Sequence, residues 1–185
     1  MSQQTEEQTI NVGVIGAGGR MGRMLIEAVQ DNPQTTLNAA IERQGSSLVG
    51  ADAGEVAAIG RLEVQIVDDL KAVINDIDVL IDFSLPDATE QNMQICAANK
   101  VAMVIGTTGF NEQQEQVLKE ASKQIAIVYA GNYSTGVNLS LKLLAMAAKA
   151  FGNDADVEVI EAHHKHKIDA PSGTAYMMAE AVAEA

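Results

Sequence analysis

The stretch Ile10-Asn11-Val12-Gly13-Val14-Ile15-Gly16-Ala17-Gly18-Gly19-Arg20-Met21-Gly22 decides how the chain is read. Its first six residues are a short, mostly apolar run. A glycine loop follows, GAGGRMG at 16–22, and then a segment with Met21, Leu25, Ile26 and Val29 at helical spacing. Asp31-Asn32-Pro33 stops that helix, and TTLNAAI at 35–41 reads as a second strand. Strand, glycine loop, helix and strand within roughly 30 residues form the unit that binds dinucleotides. Gly16, Gly18 and Gly19 let the backbone of Gly16 to Met21, Ala17 and Arg20 included, approach a pyrophosphate, which the helix N-terminus then stabilises. Met21 stands at the third position of G-x-G-x-x-G, so the spacing reads better as G-x-x-G-x-x-G through Gly16, Gly19 and Gly22. A glycine turn without a ligand has the same letters; the flanking elements and Glu42 argue for the ligand. Glu42, at the end of the second strand, is placed to accept from an adenine-ribose diol, whereas Arg43 beside it would meet a 2′-phosphate. Arg20 is close enough to reach phosphate.

The pattern then repeats. EVQIV at 63–67 reads as a third strand, after a Gly-, Ala- and Ser-rich stretch (44–60) expected to be a mobile loop or a short helix. IDVLIDF at 77–83 is a fourth strand, apolar enough to be buried on both faces. Helices are expected from about 86 to 98 and 111 to 123, with proline in the first turn of the former. VAMVI at 101–105 and IAIVY at 125–129 are the fifth and sixth strands. Strands alternating with helices imply an α/β fold, a Rossmann-like parallel sheet with helices on both faces. The loops at the carboxyl ends of its strands form the ligand edge. There Gly106-Thr107-Thr108-Gly109 offers backbone N–H groups and two hydroxyls to a nicotinamide amide, or is a plain turn. At Ala130-Gly131-Asn132-Tyr133 the chain leaves the sheet, a place for a hinge. This sets a dinucleotide-binding domain at 1–131 and a second α/β (α+β) domain at 132–185. The second has a helix at 136–151 beginning at a glycine, a strand at 156–162 (DVEVIEA) and a helix from 175 to 185. One strand cannot satisfy its own edges, so this domain reads as incomplete: the chain is expected to be a fragment, or to be completed by another copy.

Composition narrows the function. The net charge of −13 argues against nucleic acid as a partner. The polar, acidic start, MSQQTEEQT, is not a signal peptide, and no apolar run reaches the ~20 residues that span a bilayer. The single cysteine, Cys96, forbids an internal disulfide and fits a cytoplasmic location. It lies in an apolar helical stretch and reads as core, not as a nucleophile. That weighs against dehydrogenases of the aldehyde type, several of which need a nucleophilic cysteine.

The densest chemistry lies at Glu161-Ala162-His163-His164-Lys165-His166-Lys167-Ile168-Asp169-Ala170-Pro171-Ser172-Gly173-Thr174. All three histidines of the chain and two lysines fall in five consecutive residues. If the strand period continues, His163 and His164 point to opposite faces. Ser172 or Thr174 can cap the helix that follows, and its free N–H groups attract carboxylates or phosphates. Cations on one side and a helix N-terminus on the other suit an anion with two carboxylates. A basic surface loop is the plain alternative. A metal site of His163, His164 and His166 is a third, disfavoured because Lys165 and Lys167 would repel a dication.

GAGGRMG, GTTG and above all EAHHKHKIDAPSGTA resemble the motifs of the 4-hydroxy-tetrahydrodipicolinate reductase (dihydrodipicolinate reductase) family of bacterial lysine and diaminopimelate biosynthesis, and the resemblance runs from Ile10 onward. It implies NADH or NADPH as hydride donor, a small cyclic imine dicarboxylate as substrate, and a homotetramer for full-length members. By matching position it implies that Gly16 to Met21, Glu42, Arg43, Gly106 to Thr108 and Ala130 to Tyr133 bind the cofactor. His163 and Lys167 would handle protons; His164, Gly173 and Thr174 would bind substrate. Gly131 and Tyr133 depart from the alanine and phenylalanine common there. The part of the family fold beyond residue 185 completes the substrate domain and the tetramer contact, so dinucleotide binding is expected to survive better than turnover in this chain. Lys165 and His166 read as solvated or steering charges. The rival class is a non-catalytic dinucleotide sensor, which shares the glycine motifs but has no need of HHKHK.

Overall fold

Strand β1 (Ile10–Ile15) becomes an inner strand because both of its faces are covered: Val12 and Val14 are buried on one, and Gly13 on the other lies against Ile77 and Leu80. In the computed structural model, which describes residues 9–165 and 171–185, β1 leads through the glycine loop into helix α1 (Arg20–Asp31) and then β2 (Thr35–Ile41). Next come the short helix α2 (Ala53–Val56), β3 (Ile66–Val67), β4 (Val79–Asp82) and α3 (Pro86–Asn99). The sheet is finished by β5 (Ala102–Ile105), α4 (Glu112–Ala121) and β6 (Ile127–Tyr129). Helices α5 (Thr135–Phe151) and α6 (Gly173–Ala183) follow.

The six strands are ordered β3-β2-β1-β4-β5-β6, and every neighbouring pair is parallel. The Rossmann-like sheet expected from the alternating pattern is therefore present. Its order reverses between β1 and β4, and at such a switch point the loops on either side diverge and leave a crevice at the carboxyl edge. Two apolar clusters cover the two faces. Val12, Val14, Leu37 and Ala40 meet Ile26 and Val29 of α1 on one; Leu80, Met103 and Ile105 meet Met93, Cys96 and Ala97 of α3 on the other.

Tertiary contacts changed several local expectations. The third strand shrinks to two residues because Glu63 takes a left-handed backbone (φ 61°) and residues 64–65 pair with the loop before α2: Ala53 N–H donates to Val64 O, and Asp52 bridges Gln65. Within 44–60, α2 forms because Asp52 caps it, accepting from the N–H groups of Gly54, Glu55 and, across the loop, Leu62. These bonds, the one from Leu62 first, hold the Asp52 carboxyl below its ordinary value. Met21 does not share the buried face of α1, which is Gly22, Ile26 and Val29; it is 42% exposed. Helix α5 starts at Thr135 and not at a glycine, because Ser134 caps it by accepting from Val137 N–H. Helix α6 begins at Gly173, two residues early, for the same reason at Ser172.

The chain divides between Tyr129 and Ala130 into two compact units. In the second, α5 packs on α6. The strand expected at 156–162 is not formed: the segment has no regular secondary structure, and Val157, Val159 and Ile160 are exposed. Period-two alternation supplies one face of a strand but not its hydrogen-bonding neighbour, and no strand lies beside this segment among the described residues of the unit. None of the helices among the described residues is long and apolar enough to cross a membrane.

Cys96 lies on the buried face of α3, fully enclosed, and burial first, then the Asp82 carboxylate, push its thiol up to about 12. A neutral, enclosed thiol is a poor nucleophile. We expect the folded chain to resist thiol-specific labelling at mildly alkaline pH and to label fully once unfolded. Rapid modification of the native chain would contradict this packing.

Candidate functional site

The glycine loop is shaped by two of its glycines. Gly16 turns the chain out of β1 with φ +70°, a region that side chains rarely adopt. Gly22, in the first turn of α1, lies against that turn. A Cβ there would overlap Gly16 O and sit 2.7 Å from Gly16 C and 2.8 Å from Ala17 Cα. Gly19 is the helix N-cap with an ordinary extended backbone (φ −72°). The G-x-x-G-x-x-G reading thus holds at its two ends for steric reasons. Ala17 is wholly buried and its N–H donates to Ile41 O at 3.1 Å, so it fixes the loop from inside and offers no free group to a ligand. No side chain caps α1, and its first turn holds no acid. The first N–H groups of a helix have no intrahelical acceptors, so those of α1 are left for an anion. Arg20 and Met21 are exposed at this end.

Glu42 does more than its place in the sequence suggests. One oxygen accepts from Gly18 N–H at 3.0 Å and the other from Arg43 N–H at 3.1 Å, so the carboxylate ties the end of β2 to the glycine loop. Arg23, which sequence reading passes over, holds the other side of the loop: its Nε donates to Gly18 O at 3.1 Å. Its signal is faint, one more arginine on an exposed helix face. Gly16, Glu42 and Arg43 line a cleft of 690 Å³ at the carboxyl ends of the strands, with Asp69 and Lys71 after β3 and Ser84 after β4. The switch point of the sheet opens into it.

The GTTG loop corrects one expectation. The sequence offers both of its hydroxyls to a ligand, but Thr107 is only 3% exposed. Its Oγ1 accepts from Thr89 Oγ1 at 2.8 Å and faces Asp82 at 3.5 Å. Only Thr108 presents an exposed side chain there. Phe83 packs its ring where a Cβ on Gly106 would stand, so the glycine at 106 leaves room for that aromatic face.

In the second unit, Asn132 is fastened to the start of α5: its Oδ1 accepts from Ser134 N–H at 2.8 Å, and its carbonyl accepts from Asn138 Nδ2 at 2.9 Å. Gly131 and Tyr133 beside it are exposed, and Ala130 is half-buried. Ser172 caps α6, accepting from Ala175 N–H at 3.2 Å, and its own N–H donates to Glu161 Oε1 at 2.9 Å. The second oxygen of Glu161 pairs with His163 Nδ1. One carboxylate therefore joins the histidine stretch to the helix start, where Gly173 and Thr174 are the first two residues. Sequence reading misses that role, though E-x-H on an extended chain places both side chains on one side. His163, His164 and Lys165 are exposed. His166 and Lys167 lie outside the described residues.

Comparison with known proteins matches residues 10–133 to the family profile described as dihydrodipicolinate reductase, N-terminus, and residues 136–185 to dihydrodipicolinate reductase, C-terminus. The chain belongs to the dihydrodipicolinate reductase family. It is 90% identical over 185 residues to the 4-hydroxy-tetrahydrodipicolinate reductase of Psychrobacter arcticus, covering all of this chain and 66% of that protein. It is 60% identical over 173 residues to the corresponding reductase of Acinetobacter baylyi, covering 94% of this chain and 63% of that one. The chain thus spans just under two thirds of these family members. Among solved structures, dipicolinate-bound dihydrodipicolinate reductase from Paenisporosarcina sp. TG-14 superposes with a TM-score of 0.75 at 32% identity, covering 96% of this chain and 66% of that one. The apo scyllo-inositol dehydrogenase of Lactobacillus casei, at TM-score 0.55 and 16% identity over 76% of this chain and 43% of that one, shares the fold alone.

Proposed function

We propose that this chain carries the dinucleotide-binding and catalytic residues of an NAD(P)H-dependent reductase that converts the cyclic imine dicarboxylate 4-hydroxy-tetrahydrodipicolinate to tetrahydrodipicolinate. The observation that carries the reading is the 90% identity to a named reductase along the whole chain, both glycine loops and the histidine stretch included. The residues present fit a dinucleotide. Gly22 clears the backbone approach, the start of α1 is uncapped, and Glu42 and Arg43 stand beside it. In this reading Gly16 to Met21 hold the pyrophosphate and Glu42 and Arg43 the adenosine ribose. The Gly106–Thr108 loop receives the nicotinamide amide through the N–H groups of Thr107 and Thr108, since the N–H of Gly106 already donates to Asp82 O, and Ala130 to Tyr133 are assigned to the cofactor as well.

The bound cofactor supplies the hydride. The protein's own task is to bind two carboxylates and deliver a proton, and both fall to the second unit. The N–H groups of Gly173 and Thr174, at the start of α6, bind one carboxylate. His164 contacts substrate as well. With Nδ1 of His163 committed to Glu161, proton exchange falls to Nε2, and Lys167 adds a second proton source and a cation for the dianion. The dipicolinate bound to the solved relative is itself a two-carboxylate ligand, which supports a substrate of that class. A cytoplasmic location and a homotetramer for the whole protein belong to the same proposal.

Freshly generated substrate added to the protein with NADH or NADPH should abolish the nicotinamide absorbance. Running both cofactors also ranks Glu42 against Arg43 as the determinant of preference. Tight dinucleotide binding without oxidation in the full-length protein would instead establish a sensor.

A further inference from the structure

Asp82 closes β4 with a carboxylate that is 0% exposed. Its identified hydrogen-bond donors are neutral. Oδ1 accepts from Ser84 N–H at 2.9 Å and Ser84 Oγ at 2.6 Å, and faces Thr107 Oγ1 at 3.5 Å. Oδ2 accepts from Asn92 Nδ2 at 2.8 Å. Thr89 of α3, also 0% exposed, donates to Thr107 at 2.8 Å and lies 3.4 Å from Ser84 Oγ. Four side chains from two loops and one helix thus gather around one buried carboxyl at the end of a strand. A buried carboxylate is costly to place, and the fold does not need one here, since Leu80 and Met103 already fill the sheet face below. A fully satisfied polar network does one thing an apolar core does not: it specifies a single geometry. The geometry specified is that of two ligand-edge loops, 83–85 and 106–108, on the β4–β5 side of the switch point.

We infer that Asp82 is a positioning residue for the nicotinamide half of the dinucleotide, its buried carboxylate locking the loop after β4 and the Gly106–Thr108 loop to each other through Ser84 and Thr107. This rests on the dinucleotide reading above. Asp82 touches no ligand; it acts by aiming the N–H groups of the GTTG loop. Asp82→Asn replaces one accepting oxygen by an N–H donor, so either the Asn92 amide must turn over or Ser84 N–H loses its acceptor. The swapped pair Asp82→Asn/Asn92→Asp restores one donor and one acceptor at that contact.

The test uses the 185-residue chain and two probes, NADH and ADP-ribose, which lacks the nicotinamide. Asp82→Asn and Thr107→Val should each weaken NADH about tenfold, equivalent to roughly 1.4 kcal/mol, while ADP-ribose stays within about twofold by the same scale. The swapped pair should recover most of the NADH affinity. Thr107→Val removes the link to the loop, and with it the acceptor of Thr89 Oγ1, but leaves the Asp82 carboxyl with its Ser84 and Asn92 donors, and so guards against a misfolded Asp82 variant. Equal losses for both probes, or an unchanged NADH-to-ADP-ribose ratio in both single variants, would overturn the inference and leave the dinucleotide reading standing. A wild-type chain that binds neither probe would overturn both.

Discussion

Gly22→Ala is expected to abolish dinucleotide binding although it replaces none of the residues assigned to the pyrophosphate. The added methyl would overlap Gly16 O and press on Gly16 C and Ala17 Cα. These are backbone atoms of the turn that leaves β1, and no rotamer change moves them aside. Overpacking a tight contact costs about 1–3 kcal/mol, and the obstruction here sits within the loop proposed to cradle the pyrophosphate. Relief requires α1 to slide from the sheet, which takes its open N–H groups with it. NADH fluorescence titration should show loss of saturable binding, and thermal unfolding a lowered midpoint. Gly19→Ala is the control for the unfolding midpoint alone, because its Cβ meets Gly16 O at 3.2 Å, tight but tolerable with a small shift. An alanine at 22 with unchanged affinity and unchanged midpoint would remove the steric reading of this loop.

His163→Ala, made in the full-length protein, is expected to cut kcat by about 10²–10⁴, the contribution typical of a positioned acid or base. NADH affinity should hold, since His163 and the glycine loop lie in different units. Glu161→Gln should produce a smaller loss of turnover. It keeps an acceptor for Ser172 N–H but removes the charge that orients the imidazole. The two changes should not add: a double variant no slower than His163→Ala alone would place both groups in one unit of action. Full turnover by His163→Ala would clear this residue of proton transfer and leave Lys167 to be tested.

Much of the first unit was legible in the letters because it is built from local rules. Apolar runs of strand length alternate with helical spacing, and that alternation admits few topologies beyond a parallel sheet. The glycine spacing, Glu42 and the carboxyl-end loops followed from it. Where reading failed, long-range contacts decided. Residues 63–65 alternate like a strand, yet they pair with the loop at 51–53, whose approach is set by Asp52 and Leu62. DVEVIEA alternates as well but has no neighbour to pair with among the described residues of its unit. Thr107 looks like a ligand hydroxyl because its neighbours are glycine and threonine; its partners, Asp82 and Thr89, lie 25 and 18 residues away.

By itself the sequence determined the strand–helix order of the first unit, the nucleotide-type loop, the family and the placing of histidine and serine around one helix start. Those are properties of spacing, and spacing is written in the chain. Only the tertiary structure decided which hydroxyls and carboxylates are spent inside the protein and which are left for a ligand. That choice is a matter of burial and hydrogen-bond partners, and residues far apart in sequence supply them: Glu42 to Gly18, Asp82 to Thr107, Glu161 to Ser172.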